Sequence, residues 1–173
     1  MNKIELTQGK FAIVDADDFD RVNQFKWCYN KNGKYPGYAE RKQHIGMKDG
    51  KQIQKRISMH RFIMGVEDRK VHIDHINHDT LDNRKSNLRL CTNAENIRNQ
   101  KIRKGGSSKY KGVYKYSDNR VKPFRSRIVF NQKDVYLGYF ATEREAAIAY
   151  NKAALHYFGE FALLNDVSEN NLK

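Results

Sequence analysis

The chain has 173 residues, 33 basic against 20 acidic, for a net charge of +13, and its mean hydropathy is −0.88. No run approaches the roughly 18 apolar residues of a membrane-spanning helix, and an aromatic content of 12% argues against disorder throughout. Met1 to Thr7 holds no apolar stretch of a secretory leader, and Cys28 and Cys91 form no CxxC pair. Neither a zinc framework nor a disulfide framework is therefore expected, and the expected location is a reducing cytoplasm. The basic excess selects polyanions, nucleic acid ahead of an anionic membrane surface. It is spread along the chain, net +6 over residues 1–100 and net +7 over 101–173. A merely solvated basic surface stays open on charge alone.

In chain order, residues 4–14 read as extended, with Phe11, Ile13 and Val14 apolar. The acidic run Asp15, Asp17, Asp18 and Asp20 suits a helix N-terminus, which favours carboxylates. Val22, Phe25 and Trp27 form the core face of that helix or of the segment just after it. Strands are expected at 35–39 and 52–57, joined by the turn Lys48-Asp49-Gly50-Lys51. On that hairpin Tyr38, Arg41, Lys42, Lys55 and Arg56 are either DNA contacts or solvated surface. Ser58 is placed to cap a short helix, Met59 to Met64, that stops at Gly65. Val71, Ile73 and Ile76 predict a short strand running into a polar loop. Leu88 to Cys91 alternates as a second strand, and the capping box Thr92-x-x-Glu95 opens a helix.

Lys104-Gly105-Gly106-Ser107-Ser108-Lys109 then reads as a flexible connector. Arg98, Lys101, Arg103, Lys104, Lys109, Lys111 and Lys115 surround it with no acidic residue between. It is either a strand lying along a DNA backbone or a solvated hinge. Beyond it, 112–116, 124–130 and 135–140 predict three strands. Arg125 and Arg127 share one face of the second; Phe124, Ser126 and Ile128 share the other. Thr142-x-x-Glu145 is a capping box, and Ala146, Ala149, Tyr150, Ala153, Ala154 and Tyr157 recur at helical spacing up to Gly159.

The polar stretch from Val71 to Asn96 is the candidate segment for chemistry, and it holds Asp74-His75, Asn87 and Asn96, spaced by 12 and 9 residues. The stretch resembles the HNH nuclease motif in its ββα-metal unit, in the Asp/Asn variant of phage and intron-encoded homing endonucleases. The resemblance implies that His75 is the general base and that Asp74 and Asn96 are metal ligands. It implies that Asn87 ties the loop to the fold and helps orient the base. Oxygen ligands suit Mg²⁺, or Mn²⁺, better than Zn²⁺. His75's second ring nitrogen needs an acceptor, with Asn87 or a carbonyl as candidates. His60 reads as structural or a phosphate contact, His72 as pointing away from the His75 site or facing solvent, and His78 and Asp79 as loop candidates for metal or DNA. Asn93 and Asn99 are rivals of Asn96, which is preferred on spacing.

Residues 107–166 resemble an AP2 DNA-binding domain. The residues carrying this are Ser108 to Val113, Phe124 to Ile128, Tyr136 to Phe140, the Thr142 to Tyr150 pattern, Ala153-Ala154 and Asn165. The resemblance implies that Tyr114, Lys115, Tyr116, Arg125 and Arg127 face DNA. Phe124 stands where plant members usually carry Trp, and Tyr114 where they often carry Arg. The expected fold is α+β in four parts. They are a small N-terminal β-hairpin region (1–57), a ββα-metal unit (58–100), a basic linker (101–109), and a three-stranded antiparallel sheet packed on one helix (110–173). The expected activity is metal-dependent nicking of double-stranded DNA by a monomer in a bacterial or phage-infected cell. A regulator with an inert HNH-like unit and a basic RNA-binding or structural protein are the other classes to separate.

Overall fold

In the computed structural model, which describes residues 2–31, 33, 36–102 and 105–168, the chain forms two units, Met1–Asn93 and Ala94–Lys173. Both mix small antiparallel sheets with a few helices. Among the described residues no helix is long and apolar enough to cross a membrane.

In the first unit, β1 (Asn2–Glu5) and β2 (Phe11–Val14) pair antiparallel around a 3₁₀ turn at Thr7–Gly9. The expected extended stretch is thus a hairpin, folded at Gln8 and Gly9, which both have positive φ. Two carboxylates, Asp17 and Asp18, lie in the first turn of α1 (Ala16–Asn23). Trp27 comes next in the core, its indole N–H donating to Val22 O at 2.9 Å. A three-stranded sheet runs in the order β3 (Cys28–Asn30), β4 (Tyr38–Lys48), β5 (Lys51–Ser58). The β4 strand extends well beyond its predicted end. Its polar residues do not alternate with apolar ones, so periodicity is silent there, while cross-strand pairing carries the ladder to Lys48↔Lys51. Asp49 and Gly50 both have positive φ, 51° and 73°, which a two-residue hairpin turn requires. Tyr35, placed in this strand by the sequence, lies outside the described residues.

Helix α2 (Met59–Met64) ends at Gly65 in the left-handed region, φ 65°. Ser58 holds the N-cap position, but its hydroxyl donates to Glu40 Oε1 at 3.3 Å and caps nothing. β6 (His72–His75) and β7 (Leu88–Cys91) pair antiparallel with His75 opposite Leu88. One core joins Ile4, Ala12, Val14, Val22 and Trp27 to Met59, Ile63 and Leu88, so residues on both sides of position 57 bury the same apolar surface. Helix α3 (Asn93–Asn99) begins at the last residue of this unit and continues into the second.

In the second unit, β8 (Val113–Lys115), β9 (Phe124–Phe130) and β10 (Lys133–Phe140) form a sheet in the order β10-β9-β8. α4 (Glu143–Phe158) packs on one face of it, burying Ala146, Ala147, Tyr150, Ala154 and Phe158. Its capping box is complete: Thr142 Oγ1 accepts from Glu145 N, and Glu145 Oε2 accepts from Thr142 N. Gly112 has φ +76°, and a methyl there would lie 2.0 Å from the Tyr150 ring, so the sheet and helix approach only because that position is glycine. Lys111 Nζ donates to the carbonyls of Arg98 and Gln100, at 2.5 and 2.9 Å. Ser107 Oγ accepts from Lys115 N at 3.0 Å and Glu143 Oε1 from Lys109 N at 3.3 Å. The C-terminal part of the expected connector is therefore tied to this unit.

Candidate active site

Strand β6 ends on two buried polar residues, Asp74 and His75, exposed by 6% and 5%. Buried polar groups need partners. Arg89, directly opposite on β7, gives Asp74 Oδ2 two bonds, from Nε at 2.9 Å and Nη2 at 2.7 Å. The His75 imidazole sits edge-on to His60 at 5.3 Å and lies 6.0 Å from Tyr38, both distances between ring centres. Its Nε2 is 3.5 Å from Asn83 Oδ1.

Burial pulls His75 below the usual imidazole range, although Asn83 and the carboxylates of Asp74, Asp79 and Asp82 pull the other way. His60 is driven down to about 3 by burial, then by His75 and Arg61, so it stays neutral. Burial, joined by Asp74 and Glu40, pushes the Tyr38 phenol up. The site thus presents neutral rings beside one anchored carboxylate.

The loop from 76 to 87 is held by its own side chains. Asn87 Oδ1 accepts from Asn77 N at 2.9 Å, and Asn87 Nδ2 donates to Asp82 O at 2.7 Å. Asn77 Nδ2 donates to Asp82 Oδ2 at 2.9 Å, which also takes Arg84 Nη2 at 2.6 Å. Those Arg84 hydrogen bonds hold the Asp82 carboxyl below the ordinary range against the effect of burial. The N-terminal segment clamps the same loop from outside. Ile13 N donates to Leu81 O and Asn83 N donates to Ile13 O, both at 2.8 Å, and Thr80 donates to Gly37 O at 2.6 Å.

Asp74 and His75 are adjacent, as in the sequence reading. Asn87 ties the loop together, but both ends of its amide are engaged away from the imidazole, and Asn83 is the residue at the ring. Sequence reasoning missed Asn83, Tyr38 as a site neighbour, Arg89 and the ring of His60. The available signal for Asn83 was a carboxamide lying between His75 and Asn87, which Asn77 shares. His72 pairs with Cys91 in the ladder, His78 takes φ 64° in the turn after β6, and Asp79 Oδ1 accepts from Leu81 N at 3.0 Å. Asn93, Asn96 and Asn99 all lie on α3, with Asn99 buried.

The residues expected to meet DNA fall into two sets. Lys55, Lys101, Lys109, Tyr114 and Lys115 are exposed. Arg41 stacks 4.0 Å from the centre of Phe25, with Trp27 and Phe62 also close, and its Nε is buried without a hydrogen-bond partner. Arg98 lies over Phe158 at 4.8 Å and Phe130 at 5.7 Å. Arg103 and Lys104 lie outside the described residues. On the sheet face away from α4, Arg127 donates to Tyr114 Oη at 3.1 Å and pairs with Asp134 at 2.6 Å. Arg125 reaches Tyr116 Oη at 3.5 Å, and Arg120 stacks 4.2 Å from the centre of the Tyr116 ring. Tyr136, Tyr139 and Arg120 belong to this face and were not anticipated.

Among the described residues no three of His, Cys, Asp and Glu stand together as a metal-holding group. The donor chemistry still fits a hard divalent cation. Asp74 at the end of β6 offers a carboxylate oxygen, the donor type of an ion that completes its shell with water and phosphate, as Mg²⁺ does.

The HNH endonuclease family model matches residues 61–98. The chain is 35% identical over 165 residues to an uncharacterized HNH endonuclease of Acanthamoeba polyphaga mimivirus, covering 92% of this chain and 77% of the viral protein. It is also 48% identical over 64 residues to an AP2-like ethylene-responsive transcription factor of Arabidopsis thaliana, covering 36% of this chain and 19% of the plant protein. The ethylene-responsive transcription factor WRI1 of the same plant is 44% identical over 64 residues, which is 15% of its length.

Proposed function

This chain belongs to the HNH endonuclease family, and on that footing we propose that it is a site-specific DNA endonuclease of the homing type, nicking one strand as a monomer. The observation that carries the reading is the pair Asp74–His75. Both are buried at the end of one strand within the matched segment, the carboxylate held by Arg89 and the imidazole by Asn83 and two rings. A neutral imidazole in a restrained position is what a general base requires at neutral pH.

Asp74 and Asn96 would hold Mg²⁺, with Mn²⁺ able to substitute. When bound, the ion would neutralise charge on the phosphoryl oxygens and on the departing 3′ oxygen. His75 takes the proton of a water whose oxygen attacks phosphorus. The P–O3′ bond breaks, the 3′ oxygen is protonated from solvent, and a 5′ phosphate and a 3′ hydroxyl remain. Arg89 keeps Asp74 aimed, and Asn87 keeps the loop closed around the base.

Lys55, Lys101, Lys109 and Lys115 would contact phosphates, which position without reading sequence. Arg103 and Lys104 belong to the same proposed set. Tyr114, Tyr116, Arg125 and Arg127, on an AP2-like sheet, would read bases, arginine being the side chain suited to guanine. Arg41 and Arg98, stacked on aromatic rings, would add positive potential.

The test is purified full-length protein incubated with a randomised duplex library and Mg²⁺, with cut ends sequenced. A reproducible nick leaving 5′ phosphates, lost in His75→Ala with duplex binding retained, is the expected result. Retained binding without any cutting by the wild type would make the chain a DNA-binding regulator. Preference for RNA over duplex would remove the DNA reading altogether.

A further inference from the structure

We propose that Asn83 is the positioning residue that sets the tautomer of His75, an inference that rests on the nuclease reading above only for its catalytic consequence. Asn83 is 1% exposed. Its Nδ2 donates to Leu81 O at 3.1 Å, which leaves Oδ1 as the end that faces His75 Nε2, at 3.5 Å. The opposite amide orientation would set two acceptor oxygens, Asn83 Oδ1 and Leu81 O, against each other. An oxygen only accepts, so the imidazole must carry its proton on Nε2. A neutral ring has one N–H, so the lone pair falls on Nδ1, the nitrogen left to take a proton from water.

The asparagine is held rigidly from outside its own loop. Asn83 N donates to Ile13 O and Ile13 N to Leu81 O, each at 2.8 Å, so β2 fixes the backbone on both sides of Asp82. His75 is constrained in turn by its burial and by the edge contact with His60. Asn87, whose amide is engaged by Asn77 N and Asp82 O, is not placed to do this. A separation of 3.5 Å is long for such a bond, as catalytic hydrogen bonds often are before substrate binds. The N-terminal hairpin thereby acts on the chemistry through one carboxamide.

The test reads the tautomer directly, by ¹⁵N–¹H multiple-bond correlation of the histidine rings in mildly alkaline buffer without metal or DNA. His75 is assigned as the signal missing from His75→Ala. The wild type should show His75 protonated on Nε2. Asn83→Ala should give a mixture of tautomers, and Asn83→Asp, which keeps an acceptor, should restore Nε2–H. A wild-type His75 protonated on Nδ1 overturns the proposal without any variant having to fold. So does a folded Asn83→Ala whose His75 remains wholly Nε2–H.

In single-turnover cleavage, Asn83→Ala should be slower by about tenfold or more with DNA affinity unchanged, part of the roughly hundredfold or greater contribution of a general base. Asn83→Asp should recover part of the rate. Expected ring spectra with no cleavage by the wild type would sink the nuclease reading and leave the positioning role standing. Cleavage with an Asn83-independent tautomer would do the reverse.

Discussion

Arg89 is the residue that holds the Asp74 side chain in place. Both side chains are nearly buried, 11% and 7% exposed, and Arg89 gives Asp74 two charge-assisted hydrogen bonds on one oxygen. Removing one partner of such a pair strands the other charge. Arg89→Met should lower stability by about 3 kcal/mol in urea unfolding, whether or not DNA is present. A loss indistinguishable from zero would mean that solvent replaces the arginine. The same scale explains what sequence reading caught here and what it did not. Asp74 and His75 are adjacent in the chain, so their type and order were legible. Asn83 and Arg89 are joined to them only by a loop closure and a strand register, which spacing does not encode.

Helix α1 is bound to the site loop by a charge cluster. Asp18, 2% exposed on its side chain, meets Arg21 Nη2 at 2.6 Å and Lys85 Nζ at 3.0 Å. Burial pushes the Asp18 carboxyl up, but Arg21 and Lys85 together pull harder, and the net position is below the ordinary 3.8. Because the folded value is the lower one, this stabilisation is fully present above the ordinary carboxylate range. It is lost as pH falls through the depressed folded value. Wild-type urea midpoints should therefore fall more steeply below about pH 4 than those of Asp18→Asn, and the gap between the two should narrow in acid. Parallel curves would show that Asp18 carries no such linkage. Among the elements, α4 was the most legible, since a capping box and a stripe of small residues are local signals. β4 was the least, since a ribbon exposed on both faces leaves no hydrophobic period to read.

The whole molecule carries +13, and the basic excess lies in both units. Phosphate contacts release counterions, so affinity for random duplex should fall linearly in a plot of log binding constant against log salt. Lys55 is exposed on β5. Lys55→Gln should reduce that slope by about one without changing any sequence preference, measured by fluorescence anisotropy across a salt series. An unchanged slope would place the ribbon away from the phosphates.

From the residues alone came the expectation of a polyanionic partner, the Asp-His dipeptide with its two asparagines, and the sheet-and-helix pattern near the C-terminus. These are properties of composition, neighbour order and local period, which do not depend on where distant segments lie. The tertiary structure alone placed β2 against the loop at Leu81 and Asn83, set Arg89 opposite Asp74, and joined residues on both sides of position 57 in one core. Each of these is a contact between segments far apart in the chain. Such contacts arise because burying apolar surface is favourable and because a buried donor or acceptor is costly unless the fold supplies it a partner.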